Sequence, residues 1–120
     1  EQLLPKVVSS VEAKELGELG AAGELGKGLF QGPLALDVAL CKEGAEIKNL
    51  KSQVAGKADC LVFPNIESAN VFYKVSGHFC PGVKMAAMVA GAKAPCVLSS
   101  RADSTEVKLN SIALAALTAK

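Results

Sequence analysis

Arg101 is the only arginine in the chain, set against twelve lysines, and it stands in the run Ser99-Ser100-Arg101-Ala102-Asp103-Ser104-Thr105. Hydroxyls, a guanidinium fork and the free N–H groups of a helix that starts there are together what a phosphate or carboxylate needs. The same spacing has a second reading, in which Arg101 pairs with Asp103 and the serines only cap the helix. Caps are common, so spacing alone does not separate the two. Asn70, Tyr73 and Lys74 follow i, i+3, i+4 and share one helix face. Such a face can contact a nucleotide or an acyl group, or it can be a solvated face with a half-buried tyrosine.

Other chemistry-bearing residues point to plainer roles. The glycine-rich stretch over 23–28 invites a phosphate-loop reading, but Lys27 is followed by Gly28 rather than Ser or Thr, and a helix end with its turn accounts for it better. His78 precedes Phe79-Cys80-Pro81 at an expected helix end, where an imidazole meets the last carbonyls and the dipole. The cysteines at 41, 60, 80 and 96 form no CxxC pair and no zinc spacing. They read as reduced structural residues of a cytosolic protein, with Cys60 and Cys96 buried in strands.

The elements that must position these groups alternate. Ser9-x-x-Glu12 has the form of a capping box and predicts a helix over about 11–24. Gly17, Gly20 and Gly23 each cost that helix about 0.8–1 kcal/mol against alanine, so Leu16 and Leu19 must hold it by packing. A short strand at 29–32, a helical segment to about Cys41 and a loop over 42–57 follow. Residues 59–63 form a continuous apolar run ended by Pro64, the pattern of a strand buried on both faces. Asn65 is placed to cap a helix over about 66–79, which Pro81-Gly82 breaks. Further strands are expected at 85–89 and 95–98. A last helix from Asp103 or Ser104 carries the apolar stripe Leu109, Ile112, Ala113, Ala116, Leu117. This alternation predicts an α/β fold with a mostly parallel sheet, whose ligands gather at the strand ends near Asn65 and Ser99.

Length and composition restrict the function. One hundred and twenty residues suffice for one ordinary core, and 50% hydrophobic with 21% charged residues excludes a disordered polymer. A net charge of +1 without aromatic–basic interleaving argues against nucleic acid. No signal peptide or membrane-spanning stretch is expected. The 4% aromatic content disfavours an aromatic-lined groove, so a site must use polar side chains and backbone amides.

Several blocks resemble, in order, the phosphate acetyl/butyryltransferase family. They are Gly32-Pro33-Leu34-Ala35-Leu36-Asp37, Val54-Ala55-Gly56-Lys57-Ala58-Asp59, and Pro64-Asn65-Ile66-Glu67-Ser68-Ala69-Asn70-Val71-Phe72-Tyr73-Lys74. Gly91-Ala92-Lys93-Ala94-Pro95-Cys96-Val97-Leu98-Ser99-Ser100-Arg101-Ala102-Asp103-Ser104 and Lys108-Leu109-Asn110-Ser111-Ile112-Ala113-Leu114-Ala115 complete the series. The similarity runs over about 10–119, fits the butyryl branch better, and is to the family's C-terminal portion. It implies the three-layer α/β/α architecture of the isocitrate/isopropylmalate dehydrogenase-like fold. Residues 1–93 would be part of one α/β domain, and 94–120 a strand and helix that pack with the other.

The activity so implied is reversible: acyl-CoA and phosphate give acyl phosphate and CoA by direct attack, with CoA as a substrate and no permanently bound cofactor. The resemblance places Arg101 on the phosphate oxygens and Ser100 beside the sulfur or the base, with Ser99, Ser104, Asn70, Tyr73 and Lys74 among the substrate-binding groups. The acetyl branch carries an aspartate six residues after the arginine, where this chain has Val107; Asp103 and Glu106 are the nearby carboxylates. A cytoplasmic homodimer is further implied, with a polypeptide more than twice as long, so the 120-residue chain alone is expected to turn over little. The alternative is a non-catalytic CoA- or nucleotide-binding module derived from the family. A dehydrogenase-like domain is disfavoured because no strand–GxGxxG–helix fingerprint is present.

Overall fold

The computed structural model describes residues 1–119 and contains five helices: α1 (Val8–Ala21), α2 (Leu36–Leu40), α3 (Lys42–Ile47), α4 (Ile66–Phe79) and α5 (Thr105–Thr118). The chain divides into two units, Glu1–Ala69 and Asn70–Lys120. No helix among the described residues is long and apolar enough to cross a membrane.

The expected parallel sheet is not there. Among the described residues the only β pairing is one isolated antiparallel bridge, Val89 with Cys96, closed by the Val89 N–H on the Cys96 carbonyl at 2.8 Å. The runs at 29–32, 59–63, 85–89 and 95–98 are not strands, and Val62 and Leu98 are 80% and 77% exposed. An apolar run reports a preference for extended backbone, but a strand exists only when a neighbour takes up its N–H and C=O groups. The segment at 85–89 finds partners on a helix instead. The Ala87 N–H donates to Ser111 Oγ at 3.0 Å, and the Met85 carbonyl accepts from Asn110 Nδ2 at 3.4 Å. Cys60 and Cys96, expected inside strands, are exposed free thiols, as are Cys41 and Cys80.

In the first unit α1 starts three residues before its expected position. Its N-cap is Val7, without a side-chain bond, so Ser9 lies inside the helix and forms no capping box. Ser10 does related work one residue on: its buried hydroxyl accepts the Leu4 N–H at 2.9 Å. Gly20 is where Phe30 lies against α1, with no room for a Cβ. The turn after α1 closes through the Gly23 and Glu24 N–H groups on the Gly20 and Leu19 carbonyls, as a helix end should.

The segment expected to be a loop from Lys42 opens as α3, supported by the i,i+4 pair Lys42–Glu46 at 3.4 Å. Helices α2 and α3 bury Val38, Ala45 and Ala55, flanked by Leu34 and Leu50. Ser52 Oγ ties the return loop by accepting the Val54 and Ala55 N–H groups at 3.0 and 2.7 Å, and it bonds Gln31 Oε1.

Helix α4 has its expected limits. Asn65 Oδ1 accepts the Ser68 N–H at 2.9 Å, and Ser68 Oγ donates back to the Asn65 carbonyl at 3.1 Å. Asn65→Ala is therefore expected to cost about 1 kcal/mol, read as a lowered urea midpoint at unchanged slope.

In the second unit Ser104 caps α5, its Oγ accepting the Val107 N–H at 3.3 Å. The helix turns the opposite face inward from the one its apolar stripe suggests. Ser111 is fully buried, whereas Leu109, Ile112 and Leu117 are 64%, 58% and 85% exposed. The polar groups of Asn110 and Ser111 satisfy backbone at 85–87 that a leucine face would leave unpaired.

Candidate functional site

Every residue singled out for chemistry lies in the second unit. Ser99 and Ser100 are half-buried in the turn before α5, Arg101 is exposed at its tip, and Ser104 is spent as the cap. Asp103 organises this turn. One carboxylate oxygen accepts the Ser100 N–H at 2.8 Å, while the Asp103 N–H donates to the Ser100 carbonyl at 3.1 Å. The Ala102 N–H reaches Ser100 Oγ at 3.4 Å. The other Asp103 oxygen lies 3.5 Å from Lys74 Nζ, and the Asp103 side chain is only 11% exposed. Lys74 Nζ also stands 5.2 Å from the ring centre of Tyr73.

The structure thus joins Ser100, Asp103, Lys74 and Tyr73. It does not pair Arg101 with Asp103; among the described residues no carboxylate forms an ion pair with Arg101. Asn70 is exposed on α4 and outside this set. Glu106, in the first turn of α5, instead receives a hydrogen bond from Lys84 Nζ at 2.7 Å. The spacing pattern gave no sign of Lys84, because its partner is distant in sequence and no periodicity links them.

That pair sets two protonation states. The Lys84 hydrogen bond and charge hold the Glu106 carboxyl below its ordinary value, and the same bond to Glu106 raises Lys84. In the first unit Lys48 is raised by its bonds to Glu1 and Asp37, at 2.8 and 3.0 Å, and Asp37 is lowered by Lys48. Lowered carboxylates contribute stability above their unfolded pKa, near 4, and lose it as pH falls through the lower folded value. Raised lysines contribute below their unfolded pKa, near 10.5, and lose it as pH rises through the folded value. The thermal midpoint should therefore be flat between roughly pH 5 and 10 and drop outside that window. Lys84→Met should shrink the acid-side drop slightly, and added salt should shrink it further, since these pairs are exposed.

An open depression of about 340 Å³ lies elsewhere. Met88, Lys93, Pro95 and Thr118 help line it at the C-terminal end of α5, roughly 20 Å along the helix from Ser104. Its lining holds the Thr118 hydroxyl and the Lys93 ammonium but no guanidinium and no helix N-terminus.

The turn thus sets an exposed guanidinium, without an ion pair among the described residues, at the start of a long helix. The family described as Phosphate acetyl/butaryl transferase matches residues 10–116, and the chain belongs to that family. It is 45% identical over 119 residues to the phosphate butyryltransferase of Clostridium acetobutylicum, covering 99% of this chain and 39% of that protein. It is 43% identical to the phosphate acetyltransferase of Thermotoga maritima, covering 94% of this chain and 38% of the relative. The crystal structure of a branched-chain phosphotransacylase from Enterococcus faecalis V583 superposes with a TM-score of 0.80 at 37% identity, over 95% of this chain and 42% of that one. The chain spans about two-fifths of the length of the curated relatives it matches.

Proposed function

We propose that the protein carrying this chain exchanges an acyl group between CoA and phosphate, with the Ser99–Arg101 turn binding the phosphate. The observation that carries this reading is the exposed Arg101 beside the α5 N-terminus, without an ion pair among the described residues, in a chain whose relatives are named phosphate butyryl- and acetyltransferases. In the direction of acyl-CoA synthesis, the CoA thiol gives its proton to a base and its sulfur attacks the acyl carbonyl carbon. The carbon–oxygen bond to phosphate then breaks, and phosphate leaves with the electron pair. Arg101 and nearby N–H groups meet the charge that develops on the phosphate oxygens. Ser100 positions the sulfur or the base, Ser99 supplies a hydroxyl, Ser104 can still donate its O–H while its oxygen caps the helix, and Asn70, Tyr73 and Lys74 contact substrate. Glu106, whose carboxyl Lys84 holds below its ordinary value, is an exposed carboxylate that can accept the proton. The family resemblance supports a cytoplasmic homodimer as the setting.

One observation favours a second reading, a binding module for CoA without turnover. Both carboxylates near the turn are engaged, Asp103 by Ser100 and Lys74, and Glu106 by Lys84, and Val107 stands at the position of the acetyl branch's aspartate. Thiol release from acetyl- or butyryl-CoA separates the two. Measured on the whole protein that carries this chain, release that requires phosphate supports transfer, whereas calorimetric CoA binding without such release supports the module. Neither binding nor release sinks both.

A further inference from the structure

We propose that Asp103 is a positioning residue of this anion site, which latches Lys74 of α4 to the turn that carries Arg101; the proposal rests on the reading of that turn as a phosphate site. The family resemblance puts Asp103 among the carboxylates near the reaction, in the part of a base. Its surroundings assign it different work. A base needs an oxygen lone pair open toward the proton it takes. One Asp103 oxygen here accepts the Ser100 N–H at 2.8 Å, the other lies 3.5 Å from Lys74 Nζ, and the side chain is nearly enclosed at 11% exposure.

What the carboxylate controls is the position of two donors. By fixing the Ser100 peptide it sets the conformation of the turn whose next residue is Arg101. By holding Lys74 Nζ, which also rests over the Tyr73 ring, it keeps a long flexible cation beside that turn rather than in solvent. A phosphate at the turn then meets the guanidinium and an ammonium already in place, and avoids part of the entropy of ordering a lysine on binding.

This arrangement fixes the sign of a measurable effect. Coulomb's law alone says that deleting a negative charge beside an anion site tightens anion binding. A latch says the opposite, because the deletion releases Lys74 and frees the Ser100 peptide. The probe is inorganic phosphate, titrated into the chain while the amide resonances of residues 100–103 are followed by NMR. Asp103→Ala is expected to weaken phosphate binding about fivefold, and Asp103→Asn, whose single amide oxygen can still accept the Ser100 N–H but whose NH2 faces Lys74, to recover only part of that loss. Lys74→Gln should cost about fivefold in the native background but less than about twofold on top of Asp103→Ala, since the latch is already open. A purely architectural role would lower the thermal midpoint of Asp103→Ala and leave the affinity of the folded fraction unmoved.

Binding to Asp103→Ala as tight as, or tighter than, binding to the native chain overturns the proposal. Should that variant not fold, Asp103→Asn decides instead: affinity more than about threefold tighter than native means only the charge mattered. Arg101→Ala keeps the two levels apart. Native binding that depends on Arg101 but not on Asp103 sinks the latch alone, while native binding that is absent or indifferent to Arg101 removes the phosphate reading and the latch with it.

Discussion

Arg101→Ala is expected to weaken phosphate binding by roughly tenfold to a hundredfold, and phosphate-dependent thiol release by at least as much. A charge-assisted hydrogen bond contributes about 1.5–3 kcal/mol, and a guanidinium can give a phosphate two of them. The size of the loss depends on whether Arg101 is otherwise employed. An arginine already paired with Asp103 would have to exchange one carboxylate for another anion at little net gain. In the structure Asp103 is turned to Ser100 and Lys74, and Arg101 stands exposed without an ion pair among the described residues. Nothing has to be broken before the guanidinium meets its ligand. Arg101→Lys should recover only part of the loss, because an ammonium keeps the charge but not the planar fork. The check is the phosphate titration of both variants beside the native chain. Equal affinity for native and Arg101→Ala would remove Arg101 from the site.

The elements with local punctuation were legible in the sequence. Asn65 before α4, Pro81-Gly82 after it and Ser104 before α5 each act within a turn of the residue they serve, so reading the chain locally finds them. What could not be read depends on groups far apart. The apolar runs at 59–63 and 95–98 have a composition that suits a strand, yet pairing depends on a neighbour that composition does not name. The inward face of α5 was inverted for the same reason. Leu109, Ile112 and Leu117 make the more apolar stripe, but the unpaired backbone at 85–87 draws Asn110 and Ser111 inward.

The site divides in the same way. The run from Ser99 to Ser104 marked itself by residue type, and the unique Arg101 stood out. That Asp103 would choose Lys74 over the arginine two positions away was invisible, because it turns on where α4 lies beside the turn. The consequence is chemical as well as structural. With Asp103 engaged, Glu106 is left as the exposed carboxylate, and the Lys84 bond that lowers its pKa also makes it a weaker proton acceptor. Any proton transfer assigned to Glu106 therefore has to be accompanied by loosening of the contact with Lys84.

Gly56→Ala is expected to be among the most damaging single methyls in the first unit, at about 3–5 kcal/mol. Two independent costs meet there. Gly56 has φ +73, a conformation that costs an L-residue about 1–2 kcal/mol. An added Cβ would also sit 2.6 Å from both the backbone N and the Cα of Lys42, where α3 begins, and backbone cannot rotate aside as a side chain would. Relief requires moving α3 or breaking the Gly56 N–H bond to the Val38 carbonyl, 2.8 Å long. Both routes open the cluster of Val38, Ala45 and Ala55 that these contacts enclose. A core with so few buried side chains has little to lose before the unit stops unfolding cooperatively. Gly26 supplies the control, having φ +90 but open space where its Cβ would go. Gly26→Ala should cost only the conformational part, so the difference between the two urea midpoints isolates the collision with Lys42. Similar midpoints for the two variants would show that α3 yields to the methyl group, and that the Gly56–Val38 bond does not hold this unit closed.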